Sequence, residues 1–279
     1  MNTEKEDIQN KPKPKKTYKS LGAMLKAGDF TTLLENLEQM KQSEELKSFA
    51  KTTTQNPISE FDDLLFFFPQ YSVKQEKNEK GEMILTNEIL PGAMDFLKFA
   101  LENGANPNAY MRNGENTFLK ACEVPNAEIV GYLVNNPFIK LDLTHTNGVG
   151  HNGLMYATLA QSTDVIEYLV KECDFNVNNK IFLSHNQTVL HYACGNGKEQ
   201  SFDKLIELGA NPTIKDSFGY QPYEMILGAY DEESIEEYDP KDPEDMAELA
   251  TWKKLYDKVV SVTENYRKNN KPQYKTKFS

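Results

Sequence analysis

The chain has 279 residues, a formal net charge of -11 from 42 Asp and Glu against 31 Lys and Arg, 39% hydrophobic residues and three cysteines. A chain of that length buries a substantial core without disulfides or a structural metal, so it is not a stapled secreted scaffold, and 15 Phe with 14 Tyr exclude a disordered acidic chain. The negative balance argues against a long nucleic-acid footprint, because duplex binding needs clustered bases that displace counterions.

Residues 1–19 read as a disordered mixed-charge tail. No apolar run follows their charges, which argues against a secretory signal, and Glu4, Glu6 and Asp7 argue against a mitochondrial presequence. No later stretch approaches about 18 uninterrupted apolar residues, so no transmembrane segment is expected. The expectation is an intracellular, cytoplasmic protein with free thiols. Residues 20–82 read as a helical N-terminal cap or a degenerate repeat region. Leu21, Met24 and Leu25 precede Gly28-Asp29, and Phe30, Leu33, Leu34 and Leu37 follow at helical spacing, which predicts a helix pair. Ser43, Glu44 and Glu45 predict the cap of a short helix to Ala50. The very apolar FDDLLFFFPQ that begins at Phe61 reads as a helix or strand stopped by Pro69, and the polar stretch from Lys74 to Glu82 as a loop. Whether this region continues the architecture that follows or forms a separate cap stays open.

Residues 83–230 repeat. ENGANPN, from Glu102 to Asn108, recurs as ELGANPT from Glu207 to Thr213 and in degenerate form as ECDFN from Glu172 to Asn176, each behind an apolar stretch with helical periodicity. A second landmark runs in phase: Leu85, Leu119, Leu154, Leu190 and Tyr223, spaced by 33 to 36 residues, are predicted to open a short helix in each unit. The unit is a short helix, a turn, a longer helix and a loop. Neither helix buries its apolar face alone, so neighbouring units must stack.

These residues resemble the ankyrin-repeat family. Its first-helix pattern Thr-Pro-Leu-His-x-Ala is nearest in Thr188, Val189, Leu190, His191, Tyr192 and Ala193, and weaker in Thr117, Phe118, Leu119, Lys120, Ala121 and Cys122. Gln221 to Ile226 gives a third version, and Asn152 to Ala157 keeps only Leu154 and Ala157. The resemblance implies an all-α ankyrin-like solenoid of stacked helix-turn-helix units, and implies that His191 ties its helix to the adjacent loop. Thr117 and Thr188 at helix entrances suit capping of an orphan backbone N–H. Gly104 and Gly209 suit positive φ at helix ends, and the small Ala157 and Ala193 suit close stacking.

Residues 231–245 read as an acidic linker, since positions 231–248 hold ten acids against Lys241 alone. A capping helix is predicted over 246–266 from the stripe Leu249, Trp252, Leu255, Tyr256, Val259 and Val260, which would cover the last repeat. Residues 267–279 form a basic tail.

Little in this sequence points to chemistry. His145, His151, His185 and His191 lack the ligand spacing of a metal site, and no CxxC or HExxH occurs. No catalytic residue, metal or cofactor is assigned. Cys122, Cys173 and Cys194 sit at repeat-equivalent positions that suit small buried apolar residues. The long loops are the candidate binding elements: His145 and His151 in THTNGVGHNG, and Ile181, Phe182, Leu183 and His185 in NVNNKIFLSHNQ. Phe182 would serve either as an exposed anchor or as packing against the next unit. The leading expectation is a noncatalytic protein-interaction or scaffolding module that binds another protein through its concave face and loops, with the acidic 231–248 segment suited to a basic surface. Alternatives are a structural subunit of a larger assembly, a microbial effector in a host cytoplasm, and an enzyme with a cryptic site near His191 and Cys194.

Overall fold

A computed structural model describes residues 18–51, 59–137, 139–230 and 238–270. Among them, helices pair off along the chain. Helix α1 (Leu21–Lys26) turns through Gly28 into α2 (Phe30–Gln42), and α3 (Leu46–Phe49) follows. Helix α4 (Glu60–Tyr71) leads through strands β1 (Val73–Lys77) and β2 (Met83–Ile89) to α5 (Ala93–Glu102). Three regular pairs come next: α6 (Thr117–Cys122) with α7 (Ala127–Val134), α8 (Gly153–Ala160) with α9 (Thr163–Glu172), and α10 (Val189–Gly195) with α11 (Glu199–Glu207). A 3-10 turn (Pro222–Met225), a short α12 (Leu227–Tyr230) and the long α13 (Pro243–Asn269) complete the described chain.

The first helix of each pair stacks on the first helix of the next. Helix α4 packs on α1 and α6, α6 on α8, α8 on α10, and α10 on the 3-10 turn, while α2 packs on α5, α7 on α9 and α9 on α11 in an outer row. Residues 18–51 and 59–71 thus lie in the same stack as the later units. Their shared core is aromatic: Phe30 meets Phe68 edge-on at 5.8 Å, Phe68 lies 5.4 Å from Phe96, and Phe61 lies 6.4 Å from Phe99. All five of these rings are at most 7% exposed.

Several expectations are corrected. Leu85 does not open a helix; it lies in β2 opposite Gln75 of β1. The inner helix of that unit is α4, started by a capping box in which Ser59 and Asp62 satisfy each other's backbone N–H. The β-hairpin is inserted between α4 and its outer partner α5, so the 34-residue phase counted back from Leu119 falls on the insertion. Residues 74–82 are accordingly a strand and a turn rather than a loop. Pro69 does not stop α4, which runs to Tyr71: burial of Phe61, Leu65 and Phe68 outweighs the one backbone bond that proline removes near the helix end.

At the start of α6 the register shifts by one. The cap is Asn116, whose Oδ1 accepts from the Leu119 N–H at 3.0 Å, whereas Thr117 sits inside the helix with its hydroxyl buried and unpartnered. Phe118, not Leu119, therefore aligns with Leu154 and Leu190. Gly104 and Gly209 take φ of +96° and +88°.

The terminal helix is longer than the predicted 246–266. It starts at Pro243 behind an Asp242 cap and runs to Asn269, occupying the outer-row place of the last unit. Leu255, Val259 and Thr263 are buried, and Trp252 closes over Gly197, where an added Cβ would sit 3.1 Å from the indole. Lys258 bridges Glu199 at 2.9 Å and Asp203 at 2.6 Å on α11. The first part of the acidic linker (231–237) and most of both tails (1–17 and 271–279) lie outside the described residues. Among the described residues, no helix is long and apolar enough to cross a membrane.

Candidate functional site

Between each outer helix and the next inner helix the chain makes a hairpin arm, and four arms stand in a row. Three close alike, with an N–H donating to the carbonyl four residues on: Met111 to Glu115, Asn147 to His151, and Asp216 to Tyr220. The side chains of the second and fourth arms support the turn, since Asn147 Oδ1 accepts from the N–H of Val149 and His151, and Asp216 Oδ1 from those of Phe218 and Tyr220. Although burial opposes its charge, the hydrogen bonds from Gln187, Tyr220 and Phe218 hold the Asp216 carboxyl below its ordinary range. The third arm is two residues longer: Ile181 N–H donates to the Gln187 carbonyl, and the extra length forms a 3-10 turn over Phe182–Ser184.

The arms are tied tip to tip. Gly148 N–H donates to Asn113 O at 2.9 Å, Ser184 Oγ to Val149 O at 3.4 Å, and Ser217 N–H to His185 O at 2.8 Å. Along this braced edge an apolar side chain stands out from every arm: Tyr110 at 62% exposure, Val149 at 55%, Phe182 at 82% with Leu183 at 64%, and Phe218 at 65% with Tyr220 at 50%. A row of large apolar groups on rigid supports is the arrangement from which a few desolvated anchors draw affinity.

The predicted loop residues divide. Phe182 and Leu183 are exposed tips, but Ile181 is only 7% exposed, because its backbone starts the arm closure and pulls its side chain inward. His145 and His185 link neighbouring arms, and His151 ties the second arm to α10. His145 Nε2 meets Gly114 O at 2.6 Å, His151 contacts the Tyr192 hydroxyl at 3.3 Å, and the His185 ring lies 4.9 Å from that of Phe218. Burial lowers the pKa of His151. Tyr110, Val149, Phe218 and Tyr220 fall outside the binding residues expected from sequence, although Asn113-Gly114 and Asn147-Gly148 carry the turn signal that marks the first two tips.

Two cavities border the arms. One of about 470 Å³ lies between the second and third, walled by Leu143, Thr146, Gly150, Phe175, Ile181 and Leu183. The other, of about 370 Å³, opens on the inner row beside Glu115, Glu123, His151, Tyr156, Leu159 and Ala160. The Tyr156 hydroxyl donates to Glu115 at 2.6 Å. Burial opposes the Glu115 charge, yet Tyr156, Asn113 and Lys120 together hold its carboxyl below the usual value.

Neither His191 nor Cys194 is arranged for catalysis with the other. His191 Nδ1 accepts from Thr188 N–H at 3.1 Å, so Nε2 carries the proton and donates to Tyr220 O at 3.1 Å. Cys194 is fully buried, and desolvation pushes its thiol well up, away from the thiolate a nucleophile requires. Among the described residues no three His, Cys, Asp or Glu gather as a metal would need.

Residues 83–179 and 138–216 match the family model described as ankyrin repeats (3 copies). A protein of Rickettsia felis named for its ankyrin repeats is 28% identical over 109 residues. That similarity covers 39% of this chain and only 35% of the relative's length.

Proposed function

Because this chain is an ankyrin-repeat protein, with repeats recognisable across residues 83–216, we propose that it is a noncatalytic protein-interaction module that engages its partner through the tips of its hairpin arms. Ankyrin repeats bind other proteins, and a stack of this kind offers surface rather than chemistry. The observation that carries the reading is the row of exposed apolar tips from Tyr110 to Tyr220, held in register by hydrogen bonds from arm to arm. Such bracing lowers the ordering cost of binding, since the anchors are already placed.

The test is capture from extracts of native cells with the full chain as bait, comparing the unaltered protein with a Phe182→Ala, Phe218→Ala variant. Both side chains are exposed, so the exchange should change stability by no more than about 0.5 kcal/mol. A stoichiometric partner should be lost while the melting temperature stays put. Undiminished capture by the variant would remove the arms from the interface.

A further inference from the structure

Resting on that reading and extending it to the partner's chemistry, we propose that the inner face takes an extended segment of another protein with bulky apolar residues at one end and a run of Lys or Arg at the other. The exposed positions of α4 are Glu60, Asp63, Phe67 and Gln70, a stripe at helical spacing. Helices α1 and α6 flank α4 and α5 backs it, so this stripe faces the inner side. Neither Glu60 nor Asp63 has an ion-pair partner among the described residues. Burial and the neighbouring Glu60 charge both raise the pKa of Asp63, a repulsion that a bound cation would relieve.

On the next unit Glu115 and Glu123 border the inner cavity, with Lys120 paired to Glu123. Four carboxylates therefore meet one ammonium over α4 and α6. Farther along, no such charge stands on α8 or α10 among the described residues: α8 presents Leu159 and Ala160 over the buried Tyr156, and α10 presents Tyr192, beside the exposed tips of the third and fourth arms. Acid at one end and apolar anchors at the other set both the composition and the polarity of the occupant.

Its length follows from the stacking. Packed helices lie about 8–10 Å apart, so three steps from α4 to α10 span about 24–30 Å. An extended chain at about 3.3 Å per residue covers that with about seven to nine residues.

The experiment measures fluorescence anisotropy of the full chain with two fluorescein-labelled decapeptides, Phe-Leu-Gly-Ser-Gly-Ser-Gly-Arg-Arg-Arg and its reverse, each beside a control with Glu in place of Arg. One Arg peptide should bind, its Glu control at least about tenfold more weakly, with affinity falling as salt rises. Glu60→Gln with Asp63→Asn should cost about tenfold, as should Phe182→Ala with Phe218→Ala, each with an unchanged circular dichroism spectrum. Equal binding of the Glu controls, or affinity unaltered by removing the acids, would overturn the inference. So would the failure of both Arg peptides to bind below about 1 mM. If the peptides fail while protein capture through the arms persists, only this inference falls; if capture also ignores the arm variants, the interaction reading falls with it.

Discussion

His191 and Asp62 sit at the third position of two different inner helices and perform the same task with opposite chemistry. Asp62 accepts from Ser59 N–H with one oxygen and from Asn106 N–H with the other, joining its helix to the first arm. His191 accepts from Thr188 N–H and donates to Tyr220 O, joining its helix to the fourth arm. The imidazole must be neutral to do so, and burial duly lowers its pKa. With a folded pKa below the ordinary value of about 6.5, the unfolded chain takes up the proton first, so this stability is present above that value and is lost as pH falls through it. The urea midpoint should accordingly drop between pH 7 and pH 5.5, and the drop should shrink in His191→Gln; an identical drop in that variant would place the acid sensitivity elsewhere. His151 shifts in the same direction and will leave a residual slope. Thr117 makes a different prediction, because its buried hydroxyl finds no partner. Thr117→Val keeps the shape and removes the desolvated group, and should raise unfolding free energy by about 1 kcal/mol in a urea titration.

The arms behave as elements because each is braced by the next. Gly114 has φ +82°, and an added Cβ would lie 2.8 Å from the Gly148 nitrogen of the following arm. Gly114→Ala meets both backbone strain and a clash, and should cost about 1–3 kcal/mol, read as a lowered melting temperature. The terminal helix separates apolar cover from charge. Leu255 is 3% exposed, so Leu255→Ala should cost about 2–5 kcal/mol, whereas Lys258→Ala, although it breaks two ion pairs, should cost no more than about 1 kcal/mol. Chemical denaturation of the two variants decides whether α13 caps the stack by burial or by its lysines.

In the molecule as a whole each unit leans only on its neighbours, so protection should fall from the middle outward. Amide hydrogen exchange should be slowest in α6, α8 and α10 and faster in α1 and α13; uniform protection would make the stack a single cooperative block. The helix pairs, their stacking and the family resemblance were legible from sequence, because helical periodicity recurs in successive units and the Gly-Ala-Asn turn in two of them, and both are local patterns. Leu85 misled for the same reason: a constant period cannot register a hairpin inserted between α4 and α5, and the Ser59–Asp62 box that opens the true inner helix departs from the threonine–histidine pattern. Within the loops, exposure was only partly legible. Ile181 and Phe182 are adjacent and similarly apolar, yet one is 7% exposed and the other 82%. Local sequence by itself determined what each unit is; which side chains remain uncovered was decided by tertiary structure, through contacts such as Gly148 to Asn113 and Ser217 to His185 that join residues about one repeat apart.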